Sequence, residues 1–128
     1  TCFYCSARVG SDAHVDHVLP WSRVGIDGLA NLVLACPSCN TSKSQLLPER
    51  LHVLRALDRG RDPITELAAS IDWPVQFDRV VTSARGLYAS QPEGSPIWLG
   101  RNKVTAMQVD YSWLQGYHID VSNIAAPE

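Results

Sequence analysis

Two cysteine pairs, Cys2-Phe-Tyr-Cys5 and Cys36-Pro-Ser-Cys39, and one aspartate–histidine pair, Asp16-His17, are the residues of this 128-residue chain whose types and spacing point to chemistry. A C-x2-C turn can put two thiolates on one metal ion, and two such turns complete a tetrahedral shell with Zn–S bonds of about 2.3 Å. Disulfides or free structural thiols, and a redox dithiol, are the other readings open to four cysteines. Cysteines this close are poorly placed to bridge within a pair, and a reducing compartment would keep them as thiols. The spacing therefore favours structural zinc. The interval between the pairs is longer than in a common zinc ribbon, and the insertion carries His14-Val-Asp-His-Val-Leu-Pro-Trp-Ser22.

Val15, Val18 and Leu19 favour a strand, yet nothing in strand packing calls for Asp16 and His17 between them. Alone, such a pair is more often a surface feature than a catalytic one. Its neighbours change that reading. A turn-rich loop through Arg23-Val-Gly-Ile-Asp-Gly28 leads to Asn31-Leu-Val-Leu-Ala35, which reads as a second strand, and Asn40-Thr-Ser-Lys43 follows the second cysteine pair directly. The elements required are two strands and a helix, stapled by zinc. With D-H-x-x-P and N-L-x-x-x-C-x-x-C-N-x-x-K in order and spacing, the segment from Cys2 to Lys43 resembles the HNH endonucleases of the ββα-metal class.

The resemblance implies phosphodiester hydrolysis, which needs a water made nucleophilic and a cation to offset charge on the phosphate and the departing oxygen. His17 is the candidate general base, because imidazole exchanges protons near neutral pH. Asp16 and Asn40 supply oxygen ligands to a divalent cation, and hard oxygen donors suit Mg²⁺ or Mn²⁺. By resemblance, Asn31 braces the loop that carries His17 through side-chain hydrogen bonds. Lys43, one turn beyond Asn40, is expected to reach a phosphate oxygen as a point charge. Asn40 stands where the pattern's third histidine would be, which removes a nitrogen ligand and disfavours zinc at the catalytic position. His14 shares a strand face with Asp16, from which it could assist the metal or a phosphate; a solvated or core-edge histidine is its plainer reading.

The rest of the chain is read from pattern. A hydrophobic content of 45% allows one core, and a net charge of -2 with a pI near 6.0 excludes a generally basic nucleic-acid-binding protein. Local charge differs: residues 41–61 hold Lys43, Arg50, Arg55, Arg59 and Arg61 against Glu49 and Asp58, which suits either a solvated helix face or a phosphate-tracking one. A helix is expected from Pro48 to Gly60, a short one from an Asp62 N-cap through Ala69, and a third over 75–89. Ile97-Trp-Leu and Val104 to Trp113 read as strands parted by a Gly100-Arg-Asn-Lys turn. The aromatics from Trp73 to Tyr117 fit core packing better than base stacking.

The fold class expected is α+β: residues 1–47 an HNH ββα-metal unit with a four-cysteine zinc, residues 48–128 a helical region and C-terminal β-hairpin packed on it. No apolar run approaches the length of a membrane span, and the Thr-Cys-Phe-Tyr-Cys opening lacks the regions of a signal peptide, so a cytoplasmic setting is expected. The leading functional expectation is metal-dependent cleavage of DNA, in duplex form, by nicking or double-strand cutting, in a setting such as bacterial restriction or defence. A zinc-stabilised nucleic-acid-binding module without catalysis, and an RNase or nuclease toxin, are the rivals. No base-reading element is recognisable, which leaves specificity to further domains or subunits.

Overall fold

The structure, a computed structural model, describes residues 1–108 and 112–117. Its first sheet is a two-stranded antiparallel ladder of β1 (His14–His17) and β2 (Leu32–Ala35), with Asp16 opposite Val33 and Val15 opposite Leu34. Side chains alternate across a strand, so this register gives the sheet two different faces. Asp16 and Val33 are buried, whereas Val15 and Leu34 are exposed.

Between the strands the chain runs through Pro20, a short helix α1 (Trp21–Val24) and a 3₁₀ turn, Leu29–Asn31. Gly25 closes α1 in the left-handed region at φ 62°, which glycine adopts without strain. A Cβ at Gly28 would lie 2.4 Å from both Gln76 Cβ and the Val75 carbonyl oxygen, so only glycine fits there. That close approach lets the 74–76 segment bond along the turn, with Leu29 N donating to Pro74 O and Ala30 N to Val75 O.

After β2, helix α2 (Pro37–Lys43) starts at a proline, whose missing N–H costs nothing in a first turn, and Cys36 caps it by accepting from Cys39 N. A three-stranded sheet follows in the order β3 (Leu47–Pro48), β4 (Pro96–Gly100), β5 (Lys103–Ala106), parallel for the first pair and antiparallel for the second. Helices α3 (Arg50–Leu57), α4 (Arg61–Ile71) and α5 (Phe77–Ala89) lie between β3 and β4 in sequence. Val18, Leu19, Ile26 and Val33 from the first half share one core with Val53, Leu57, Val80 and Val81 from the second. Cys2, Ala35, Cys36, Cys39 and Trp98 form a smaller one.

The architecture is α+β with a C-terminal hairpin, as the sequence indicates. Several boundaries differ for physical reasons. Pro48 belongs to β3 rather than to a helix, because the adjoining Trp98 carbonyl takes Glu49 N and Glu49 then caps α3 through Leu51 N. Helix α4 begins at Arg61 after Gly60, placing Asp62 in its first turn instead of at its cap. Gln76 is left-handed (φ 58°) and bonds Gly28 N through Oε1, which delays α5 to Phe77. Asn31 ends the 3₁₀ turn before β2. Strand β5 stops at Ala106, short of the expected Trp113; residues 109–111 lie outside the described residues. No helix among the described residues is long and apolar enough to cross a membrane.

Candidate active site beside a four-cysteine cluster

The four thiols come together as their spacing indicates. The Sγ atoms of Cys2, Cys5, Cys36 and Cys39 all lie within 4.8 Å of one another, and the four are free cysteines. Four converging soft donors from two tight turns match the donor set of structural zinc. Arg101, in the turn between β4 and β5, adds a cation: its Nη2 is 3.2 Å from Cys5 Sγ and 3.6 Å from Cys36 Sγ. Zinc held by four thiolates would carry net negative charge, and the guanidinium would offset part of it. Nothing in the local sequence announces Arg101, because it arrives from 62 residues beyond the nearest cysteine only when β4 packs against α2.

Asp16, His17 and Asn40 line a single cleft of about 400 Å³ between β1, α1 and α2, with Pro20, Trp21, Thr41, Ser44 and Gln45 completing it. Asp16 comes from the buried face of β1. Its Oδ2 accepts from Tyr4 Oη at 2.5 Å and lies 3.3 Å from Lys43 Nζ. Burial raises the Tyr4 phenol far above its usual range, and the Asp16 charge adds to this, so the hydroxyl stays a donor at all working pH values.

His17 Nε2 is 2.8 Å from Asp27 Oδ1, supplied by the loop before the 3₁₀ turn. An ionised carboxylate only accepts, which puts the ring hydrogen on Nε2 and the lone pair on Nδ1. Asp27 is itself exposed, and its carbonyl takes Trp73 Nε1. Sequence reading passed over Asp27 because loop residues of this type are common at turns.

Asn31 is fully buried. Its Oδ1 accepts from Leu19 N at 2.9 Å, and its Nδ2 donates to Leu19 O and Ile26 O at 3.1 and 3.0 Å. The amide thus ties the exit of β1 to the loop ahead of Asn31 and does not open on the cleft. Asn40 does, and its Nδ2 donates to His14 Nδ1 at 2.9 Å, which gives the half-buried His14 a polar partner at the cleft.

Lys43 requires a correction. Its ammonium is buried, donates to His17 O at 2.7 Å and pairs with Asp16, so it is not free to meet a phosphate. Burial lowers its pKa and Asp16 opposes that. His17 ends β1, and the lysine is drawn under the strand to satisfy its backbone carbonyl. Most of the basic surplus over 41–61 is also engaged within the fold, Arg50 lying exposed beside Glu49. Arg59 donates to Ala56 O, Leu32 O and Ala30 O, Arg55 to Phe3 O while stacking on the Phe3 ring, and Arg61 pairs with Asp78. Arg55 and Arg59 thereby fasten the α3 region to the N-terminal half, and Arg61 fastens α4 to α5.

An antiparallel hairpin, a short helix and a four-thiol shell suited to zinc, with a carboxylate and an imidazole at the strand end, define a ββα unit. Residues 2–46 match the family model for HNH endonuclease, and the four-cysteine cluster is consistent with a zinc-binding HNH unit. That match suggests a nuclease. No curated protein and no solved structure matches the chain.

Proposed function

We propose that this protein is a metal-dependent endonuclease that hydrolyses phosphodiester bonds of DNA, with the cleft between β1 and α2 as its active site. The observation that carries the reading is the convergence of Asp16, His17 and Asn40, from one strand and one helix, on that cleft. An anionic carboxylate and an amide carbonyl are hard oxygen donors in an open site, which fits Mg²⁺ or Mn²⁺ better than zinc. Such a cation, when bound, supplies positive charge opposite the phosphate and the departing oxygen.

The chain's own residues do the rest. His17 takes a proton from the attacking water at Nδ1, with its ring held by Asp27 at Nε2. Asp16 is fixed by Tyr4 and Lys43, so one carboxylate oxygen is committed to the fold. Asn31 holds the Leu19 backbone and thereby the end of β1. Trp21, 56% exposed at the rim of the cleft, offers a face on which a base can stack. Residues 1–47 form the nuclease unit, and the described residues from 48 onward are the scaffold packed on it, in a cytoplasmic setting that keeps the thiols reduced. Bacterial restriction or defence against foreign duplex DNA is the biological reading, with base specificity supplied by further domains or subunits.

The test is incubation of the zinc-loaded protein with supercoiled plasmid, and separately with labelled RNA, in Mg²⁺ or Mn²⁺ with and without EDTA. Plasmid relaxed or linearised only when the cation is free supports the reading. Cleavage of RNA alone would move the protein to the RNase class, and binding without cleavage of either would make it a zinc-stabilised binding module.

A further inference from the structure

An asparagine that ligates a hard cation has a problem that a histidine or an aspartate at the same place does not. Its amide has two ends of nearly equal size, only one of which is a ligand, and a half-turn about the last side-chain bond exchanges them. With the NH₂ end forward the site would present a donor to the cation. Something must hold the amide one way round.

We infer that His14 is this positioning residue: it selects the oxygen of Asn40 for the cleft by taking the amide nitrogen for itself. The inference rests on the reading of Asn40 as a cation ligand. Asn40 Nδ2 lies 2.9 Å from His14 Nδ1, and an amide nitrogen can only donate, so Nδ1 accepts and the ring hydrogen sits on Nε2. That bond directs Oδ1 away from the imidazole, on a residue that lines the cleft together with Asp16. Both partners are held by the backbone. His14 stands opposite the fully buried Ala35 at the start of β1, two residues from Asp16 and on the same strand face. Asn40 sits inside α2, bonded through its own N to Cys36 O and through its carbonyl to Ser44 N. The imidazole therefore acts through Asn40.

The test is Mn²⁺ binding, followed by titration calorimetry on the zinc-loaded full chain, in five proteins: wild type, His14→Ala, Asn40→Asp, the His14→Ala/Asn40→Asp double variant and Asn40→Ala. Groups that orient a metal ligand typically contribute 10–100-fold in metal affinity, so His14→Ala should weaken Mn²⁺ binding at least about 10-fold beside Asn40. A carboxylate offers oxygen at either end and needs no orientation. In the Asn40→Asp background the same change should alter affinity by less than about 2-fold, within additivity error for uncoupled sites. Zinc content and melting curves confirm folding, and should His14→Ala lose its zinc, His14→Leu is compared in its place. An equal loss in both backgrounds would overturn the inference and make His14 a ligand in its own right, and no loss in either would also overturn it. If Asn40→Ala binds Mn²⁺ as tightly as wild type, the ligand reading itself fails, and this inference with it.

Discussion

Tyr4 donates its hydroxyl to Asp16 Oδ2 at 2.5 Å, so a residue inside the first cysteine pair holds the carboxylate that lines the cleft. Lys43 approaches the same oxygen at 3.3 Å. Tyr4 in turn packs edge-on against Trp98 and His52, which fixes its ring. Removing the hydroxyl leaves the carboxylate with one polar neighbour fewer in a buried setting. Hydrogen bonds to charged groups contribute about 1.5–3 kcal/mol, so Tyr4→Phe should lower stability by that order. It should also slow cleavage by about 10-fold through loss of Asp16 positioning, a size expected when a supporting hydrogen bond to a metal ligand is lost. Zinc content should be unchanged. Thermal melts and plasmid-cleavage rates check this, and a variant with wild-type values for both would remove Tyr4 from the account.

Metal removal tests the thiol shell. The cysteine cluster and Trp98 form a core of their own, too small to hold two turns together without a central ion. Chelation of the zinc should therefore unfold the hairpin unit and abolish cleavage. Arg101→Ala leaves all four ligands in place but takes away the guanidinium beside Cys5 and Cys36. It should release zinc to a chromogenic chelator several-fold faster than wild type, in line with the loss of an outer-shell partner. Equal release rates would mean that Arg101 is only a neighbour of the thiols.

The two asparagines separate by what rescues them. Asn31 satisfies three backbone groups in a fully buried position, and each buried group left without a partner costs about 1–3 kcal/mol. Asn31→Ala should lower both melting temperature and cleavage rate, and added Mg²⁺ should not restore the rate. Asn40→Ala should melt near wild type and regain rate as Mg²⁺ is raised. The opposite pattern in a Mg²⁺ titration would exchange the two roles.

Much of this was legible before the fold was known, and the limits follow from range. The cysteine spacing fixed the metal shell because a C-x2-C turn is a local geometry. Asp16, His17 and Asn40 were legible because a strand and a short helix carry them into the cleft at fixed offsets. Lys43 was misread because spacing along α2 gives its direction but not the buried carbonyl of His17 that draws it inward. The partnership of His14 with Asn40, and those of Tyr4 with Asp16 and Arg101 with Cys5, depend on packing across 12 to 96 residues of sequence and have no local signal. Pro48 shows the same limit: its helix-start pattern yields to β4, which reaches it from the far end of the chain.

His52 supplies a pH dependence. Burial lowers its pKa, with the Leu99 carbonyl at Nε2 opposing, and its buried Nδ1 has no hydrogen-bond partner among the described residues. The unfolded imidazole takes its proton near pH 6.5, so below about that pH the unfolded chain binds more protons than the folded one. Stability is thus expected to fall as pH drops from 7 towards 5.5. His52→Phe, which keeps a ring against Tyr4 and Trp98, should flatten that slope. Identical slopes for the two proteins would assign the dependence to other groups.

The central claim is that the cleft hydrolyses phosphodiesters with His17 as its base, and the most direct measurement is the initial rate of supercoiled-plasmid cleavage by His17→Ala against wild type at saturating Mg²⁺. Loss of a positioned base typically costs about 10²–10⁴-fold, so the variant should be slower by at least about 100-fold while keeping its zinc, its melting temperature within a few degrees and its affinity for DNA. Cleavage by His17→Ala at the wild-type rate, in a preparation whose activity still disappears with EDTA, would contradict the account.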